Sequence, residues 1–129
     1  MTKIGVMLIA ALAAILLSAC SEILTRTNSF QPSDKQLASG IKSYEDGDYQ
    51  TALATLTNAQ EMGLKGKRDQ LLAHKYLAFI HCVSGREKRC RDEFREALEI
   101  DAAFDLKPEE AGHPIWGPVF RSEKAKFAK

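Results

Sequence analysis

Apolar residues are spaced along this chain in two ways. From Ile4 to Ala19 they run together with no charged residue among them. Beyond Ser33 they return every three or four positions, the spacing of one face of an α-helix. Leu37, Ile41 and Tyr44 mark a first helix. Ser33 or Asp34 suits its start, because the side-chain oxygen of either can accept a free backbone N–H. Gly47 stops it, and a second helix from about Asp48 carries Ala52, Leu53, Leu56 and Ala59. Gly63 to Lys67 reads as a loop. A long third helix carries Leu71, Leu72, Tyr76, Phe79, Ile80 and Val83 up to Ser84-Gly85, and a fourth carries Cys90, Phe94, Ala97, Leu98 and Ile100. Asp101 to Pro114 reads as loop with one short turn at Pro108-Glu109-Glu110. A last helix runs from Ile115 or Trp116 to Phe127, with Pro118 tolerated in its first turn. No stretch alternates as a strand does, so the fold class expected is all-α.

The two central hairpins share a pattern. The first reads Gly40-x₃-Tyr44-x₂-Gly47-Asp48-Tyr49-x₂-Ala52-x₃-Leu56-x₂-Ala59. The second reads Ala78-x₃-Cys82-x₂-Gly85-Arg86-Glu87-x₂-Cys90-x₃-Phe94-x₂-Ala97, with Gly85 answering Gly47 at an offset of 38 residues. This spacing resembles the tetratricopeptide repeat, a pair of antiparallel helices with a period of about 34 residues. The extra residues fall in the Gly63 to Arg68 loop. Gln36 and His74 stand where that family often has tryptophan, and Leu64 and Ala102 where a proline usually closes the repeat. The resemblance implies two helical hairpins over residues 34–128, with the last helix as a C-terminal cap, since two repeats leave their ends bare. It also implies that the first helix of each hairpin lines a concave groove, which makes Leu37, Ile41, Tyr44, Lys75 and Phe79 candidates for docking a partner's extended or helical segment. The same five residues could equally be core if the last helix folds onto that face.

The uninterrupted run at the start has a different meaning. One positive charge at Lys3, an apolar stretch and then small residues form a signal-peptide layout. The stretch is short for a membrane span, which takes about 20 residues. It ends Leu17-Ser18-Ala19-Cys20, which resembles the lipobox of bacterial lipoproteins. That resemblance implies removal of residues 1–19 and lipidation of Cys20. Residues 20–33, rich in Thr, Ser and Asn, would form a flexible tether. Ser21 in place of aspartate points to the outer membrane, facing the periplasm.

Losing Lys3 with the signal brings the 18 basic residues level with the 17 acidic ones. A neutral chain gives no case for nucleic-acid binding. Two local basic runs, Arg86 to Arg95 and the tail from Arg121, could meet an acidic partner or simply form solvated helix faces. Little chemistry is visible. Gly63-Leu64-Lys65-Gly66-Lys67-Arg68 lacks the spacing and the hydroxyl residue of a phosphate loop. His74 and His81 are two helical turns apart, about 10.5 Å of rise, too far for one zinc with bonds of about 2.0 Å. His113 reads as a structural loop residue. No nucleophile–base pair appears, so neither catalysis, a metal, a cofactor nor a small-molecule substrate is expected. Cys82 and Cys90 could form a disulfide in an oxidising compartment. A hairpin turn centred on Ser84-Gly85 sets them about one helical turn out of register, near the 7 Å limit between Cα atoms, so the pairing stays open.

One longer stretch is distinctive. It begins His74-Lys75-Tyr76-Leu77-Ala78-Phe79-Ile80, passes Cys90-Arg91 and Glu93-Phe94-Arg95, and ends Gly112-His113-Pro114-Ile115-Trp116-Gly117-Pro118-Val119-Phe120-Arg121. With the lipobox, it is similar to the TssQ family of type VI secretion-associated lipoproteins. That resemblance implies a non-enzymatic, membrane-anchored accessory or scaffold protein whose partner is a periplasmic or envelope protein of the secretion apparatus. Two other readings remain: a pilotin-like assembly factor for another envelope system, and a thiol-redox protein cycling Cys82 and Cys90.

Overall fold

A computed structural model describes residues 31–128. The signal, Cys20 and most of the tether lie outside the described residues. The fold is all-α: α1 (Pro32–Glu45), α2 (Tyr49–Glu61), α3 (Lys67–Val83), α4 (Glu87–Ile100), the short α5 (Pro108–Ala111) and α6 (Trp116–Ala125), with no strand among the described residues.

The first helix starts earlier than Ser33 or Asp34. Pro32 occupies its first turn, where the ring pre-sets φ and the missing N–H costs nothing. Asp34 then serves inside the helix, its carboxylate accepting the Gln31 N–H at 3.2 Å. The expected tether boundary at residue 33 is therefore too late, and Ser33 is itself buried. The last helix ends sooner than expected, at Ala125, though Phe127 still packs half-buried on the core.

The offset of 38 residues holds down to individual hydrogen bonds. Asp48 N–H donates to Ser43 O, and Arg86 N–H to His81 O, both at 2.9 Å. Gly47 and Gly85 carry φ of +81° and +74° at the matching corners, a backbone region other residues rarely enter. Ala52, Leu56 and Ala59 of α2 are fully buried, and so are Cys90, Phe94 and Ala97 of α4. Helices α1 and α2 approach closely at Gly40, and the neighbour there is Leu56. A Cβ on Gly40 would lie 2.7 Å from Leu56 Cγ and 3.2 Å from its backbone nitrogen.

The central helix α3 is apolar on two faces. Ala73, Leu77 and Ile80 join Leu37, Ala52, Leu56, Ala59 and Leu64 in one cluster. Ala78, Phe79 and Cys82 join Cys90, Phe94, Leu98, Leu106, Trp116, Val119 and Phe120 in the other. Each large side chain buried there contributes roughly 1.5–3 kcal/mol from burial. The second cluster closes only because α6 caps it: Phe120 meets Phe94 edge-on at 5.1 Å and Phe104 at 5.8 Å. Gly117 admits this packing, since a Cβ there would sit 2.5 Å from the carbonyl oxygen of Ala111. The α2–α3 loop is pinned as well, with Leu64 buried and its carbonyl accepting from Gln70 Nε2 at 2.6 Å.

Candidate binding surfaces

Helices α1 and α3 lie side by side and form the face on which the sequence places the docking groove. Leu37 and Lys75 occupy equivalent positions on it, as do Ile41 and Phe79. The structure divides the five candidates. Leu37 is buried in the first cluster, while Ile41 and Tyr44 are half-buried. Lys75 and Phe79 are covered by the chain's own C-terminal segment. The Trp116 indole stacks on Phe79 with ring centroids 4.2 Å apart and planes 19° from parallel. Lys75, 4% exposed, places its ammonium 2.7 Å from Glu110 Oε1 and 4.8 Å from the Tyr76 ring centroid. As groove-lining residues Lys75, Phe79 and Leu37 are therefore corrected: all three are core, because α5 and α6 fold onto the second hairpin and Leu37 packs beneath the first.

Glu110 holds that cover together. One carboxylate oxygen takes the Lys75 ammonium, the other accepts the Lys107 N–H at 3.0 Å, and its backbone carbonyl accepts from Trp116 Nε1 at 2.8 Å. His113 lies flat against the other side of the Trp116 ring, with centroids 3.3 Å apart, and its Nδ1 accepts the Ile115 N–H. Its role is positional. The sequence did carry a signal for Glu110. A lysine embedded in Tyr76-Leu77-Ala78-Phe79-Ile80 demands a carboxylate, because a buried ammonium without a partner is costly. Which acid supplies it is a tertiary matter, settled 35 residues away.

What stays open on this face is aromatic. Tyr44 meets Tyr76 edge-on at 5.0 Å and Tyr49 at 5.4 Å; Tyr49 is 41% exposed, and Tyr44 and Tyr76 are half-buried. Burial pushes the Tyr44 phenol up to about 12, with further help from Tyr49, Tyr76 and the Glu110 carboxylate. Burial raises Tyr76 as well, and Glu110 and Glu45 add to it. Both phenols stay neutral. With the Glu110 and Glu45 carboxylates close by, they can offer O–H groups and ring faces to a partner. Tyr49 and Tyr76 did not stand out in the sequence, where they read as ordinary members of the repeat pattern and of the α3 face.

At the other hairpin corner, Cys82 and Cys90 are joined in a disulfide, their Cα atoms 5.1 Å apart. They occupy the positions that Tyr44 and Ala52 hold in the first hairpin. The feared misregister is absent because the turn is tight: α3 runs through Val83 and α4 begins at Glu87, so Cys90 lies one turn into α4 facing the last turn of α3. Both cysteines are buried.

The basic stretch on α4 is largely neutralised by its neighbours. Lys88 pairs with Asp92, Arg95 with Asp92 and Glu99, and Arg91 with Glu87. Arg91 also reaches Glu123 at 3.2 Å, whose carboxylate is 1% exposed and accepts from Lys126 at 2.8 Å. Burial pushes this carboxyl up, but the hydrogen bonds from Lys126 and Arg91 outweigh it and hold it below its ordinary value. His74 sits 2.7 Å from Glu93 and beside Gln60, tying α3 to α4 and α2.

Together these features define an all-α protein of two helical hairpins with an internal cap. No protein-family model, curated protein or solved structure matches the chain.

Proposed function

We propose that this chain is a lipid-anchored, non-enzymatic docking protein of the bacterial envelope. It is held by Cys20 at the outer membrane and presents the α1–α3 face to a segment of a secretion-apparatus protein. The observation that carries this reading is the open aromatic edge: half-buried Ile41, Tyr44 and Tyr76 with exposed Tyr49 beside them. Neutral tyrosines of this kind provide large, rigid contact area and a polar tip, which suits protein recognition. The resemblance to type VI secretion-associated lipoproteins supplies the choice of apparatus, and the lipobox supplies the anchor.

The test places a photo-crosslinking residue at Tyr49 in the full-length chain and irradiates living cells. Crosslinks to a membrane-complex component of a type VI machine are the expected result. Crosslinks only to a secretin would replace this reading with the pilotin-like one. A Cys20→Ala chain that still fractionates with membranes would remove the anchor.

A further inference from the structure

A second site lies on the opposite side of α3. Helices α2 and α4 both pack on α3 but not on each other, so part of the α3 surface faces outward between them. His81 belongs to this strip. It lines a cleft of about 490 Å³ with Lys88, Arg89, Asp92 and Glu93 at the α3–α4 corner.

His81 is an unusual residue to find there. It is 95% buried by accessible area, its relative exposure being 5%. Arg86 Nε donates to its Nδ1 at 2.9 Å. A guanidinium cannot accept a proton, so Nδ1 must carry the lone pair and the ring proton sits on Nε2. Burial lowers the basicity of the ring, and the charge of Arg86 lowers it further, which keeps His81 neutral. Nε2–H has no hydrogen-bond partner among the described residues, yet no buried polar side-chain atom there goes unsatisfied. Those two facts leave Nε2–H reachable by solvent, and the cleft is the opening that His81 lines.

The surroundings of that donor are suited to an anion. Arg89 is exposed and forms no ion pair among the described residues. Helix α4, 14 residues long, starts at this corner with no side chain capping its free amides, so its positive end faces outward. The two acids of the cleft are already engaged: Asp92 by Lys88 and Arg95 at 3.0 Å each, and Glu93 by His74 at 2.7 Å.

We propose that the α3–α4 corner is a binding site for a small anionic group, a carboxylate or a phosphate. His81 Nε2–H and the Arg89 guanidinium are its principal donors, and Lys88 shifts from Asp92 to assist. The site is independent of the aromatic edge and of the docking function proposed for it.

The experiment follows the ring nitrogens of His81 by NMR in the full chain held in detergent micelles. Inorganic phosphate and N-acetylglutamate are titrated separately at constant ionic strength. The expected result is a saturable shift at His81 Nε2 while the His113 signals stay still. Arg89→Ala, a surface change that spares the fold, weakens binding about tenfold, as losing a charge-assisted hydrogen bond should. Saturation by phosphate alone assigns a phosphate-bearing ligand, and saturation by N-acetylglutamate alone a carboxylate. Shifts that stay linear with both anions, or an Arg89→Ala chain that binds as tightly as the parent, would overturn the site.

Discussion

Trp116 covers Phe79 face to face, with 4.2 Å between ring centroids. Through that contact the C-terminal segment becomes part of the second hairpin's core. The same contact takes half of the α1–α3 face away from any partner. Trp116→Ala should cost about 3–5 kcal/mol by opening a cavity over Phe79, while Trp116→Phe should cost distinctly less. Urea unfolding followed by circular dichroism measures both, and equal losses would show that a ring stacked on Phe79 contributes nothing by itself.

Gly40 is the point of closest approach between α1 and α2. Gly40→Ala should destabilise the chain by roughly 1–3 kcal/mol, because the new methyl meets both the side chain and the backbone of Leu56. Combining it with Leu56→Ala should give a smaller loss than the two single changes summed. Additive losses would mean that the helices separate freely.

The disulfide closes a short loop, with the two cysteines eight positions apart. Replacing both by alanine should cost about 2–3 kcal/mol through the freed unfolded chain. The fold should survive, since Phe94 and Trp116 still close the cluster. Melting curves of the double variant and of the parent with and without reductant give the number. If the variant still supports the docking function proposed above, a redox cycle at these sulfurs is excluded.

Acid should weaken the fold in two stages of known sign. His81 has a folded value below its ordinary 6.5, so the unfolded chain takes up a proton first. Its share of stability is complete above about 6.5 and drains away as the pH falls towards the folded value. Glu123 has a folded value below its ordinary 4.5, so its share is complete above that and drains as the pH falls further. Glu123→Gln should reduce only the second stage, which Asp48, Asp92, Asp101 and Asp105 share because their hydrogen bonds also hold them below the ordinary value, and His81→Gln only the first. Denaturation midpoints measured from pH 8 down to pH 3 distinguish the two, and a single variant that flattened both stages would refute the assignment.

The helices were legible because their causes are local. Leu37, Ile41 and Tyr44 mark one face, Gly47 and Gly85 mark the corners, and the matched spacing around them recurs in the paired turn hydrogen bonds. The start of α1 was misplaced because Ser33 and Asp34 look like caps, and Pro32 in the first turn is the stronger signal. The candidate site was harder to see. Phe79 and Lys75 look like groove residues in isolation. What decides their fate is where Trp116 and Glu110 land, and loop residues 101–115 hold no periodicity that would tell. The disulfide was open for a similar reason: a change of one residue in turn length moves Cys90 by 100° around α4.

The cap also sets an order of assembly. Each hairpin joins neighbours in the chain, whereas Lys75 must wait for Glu110, 35 residues later. Pairings of short reach form sooner than distant ones. Without the cap, Phe79 loses its Trp116 cover and Lys75 its Glu110 partner. A chain cut short before Pro108 should therefore turn that aromatic flank to the solvent. Proteolytic trimming of the last helix would do more than shorten this protein: it would convert a selective surface into an indiscriminate one.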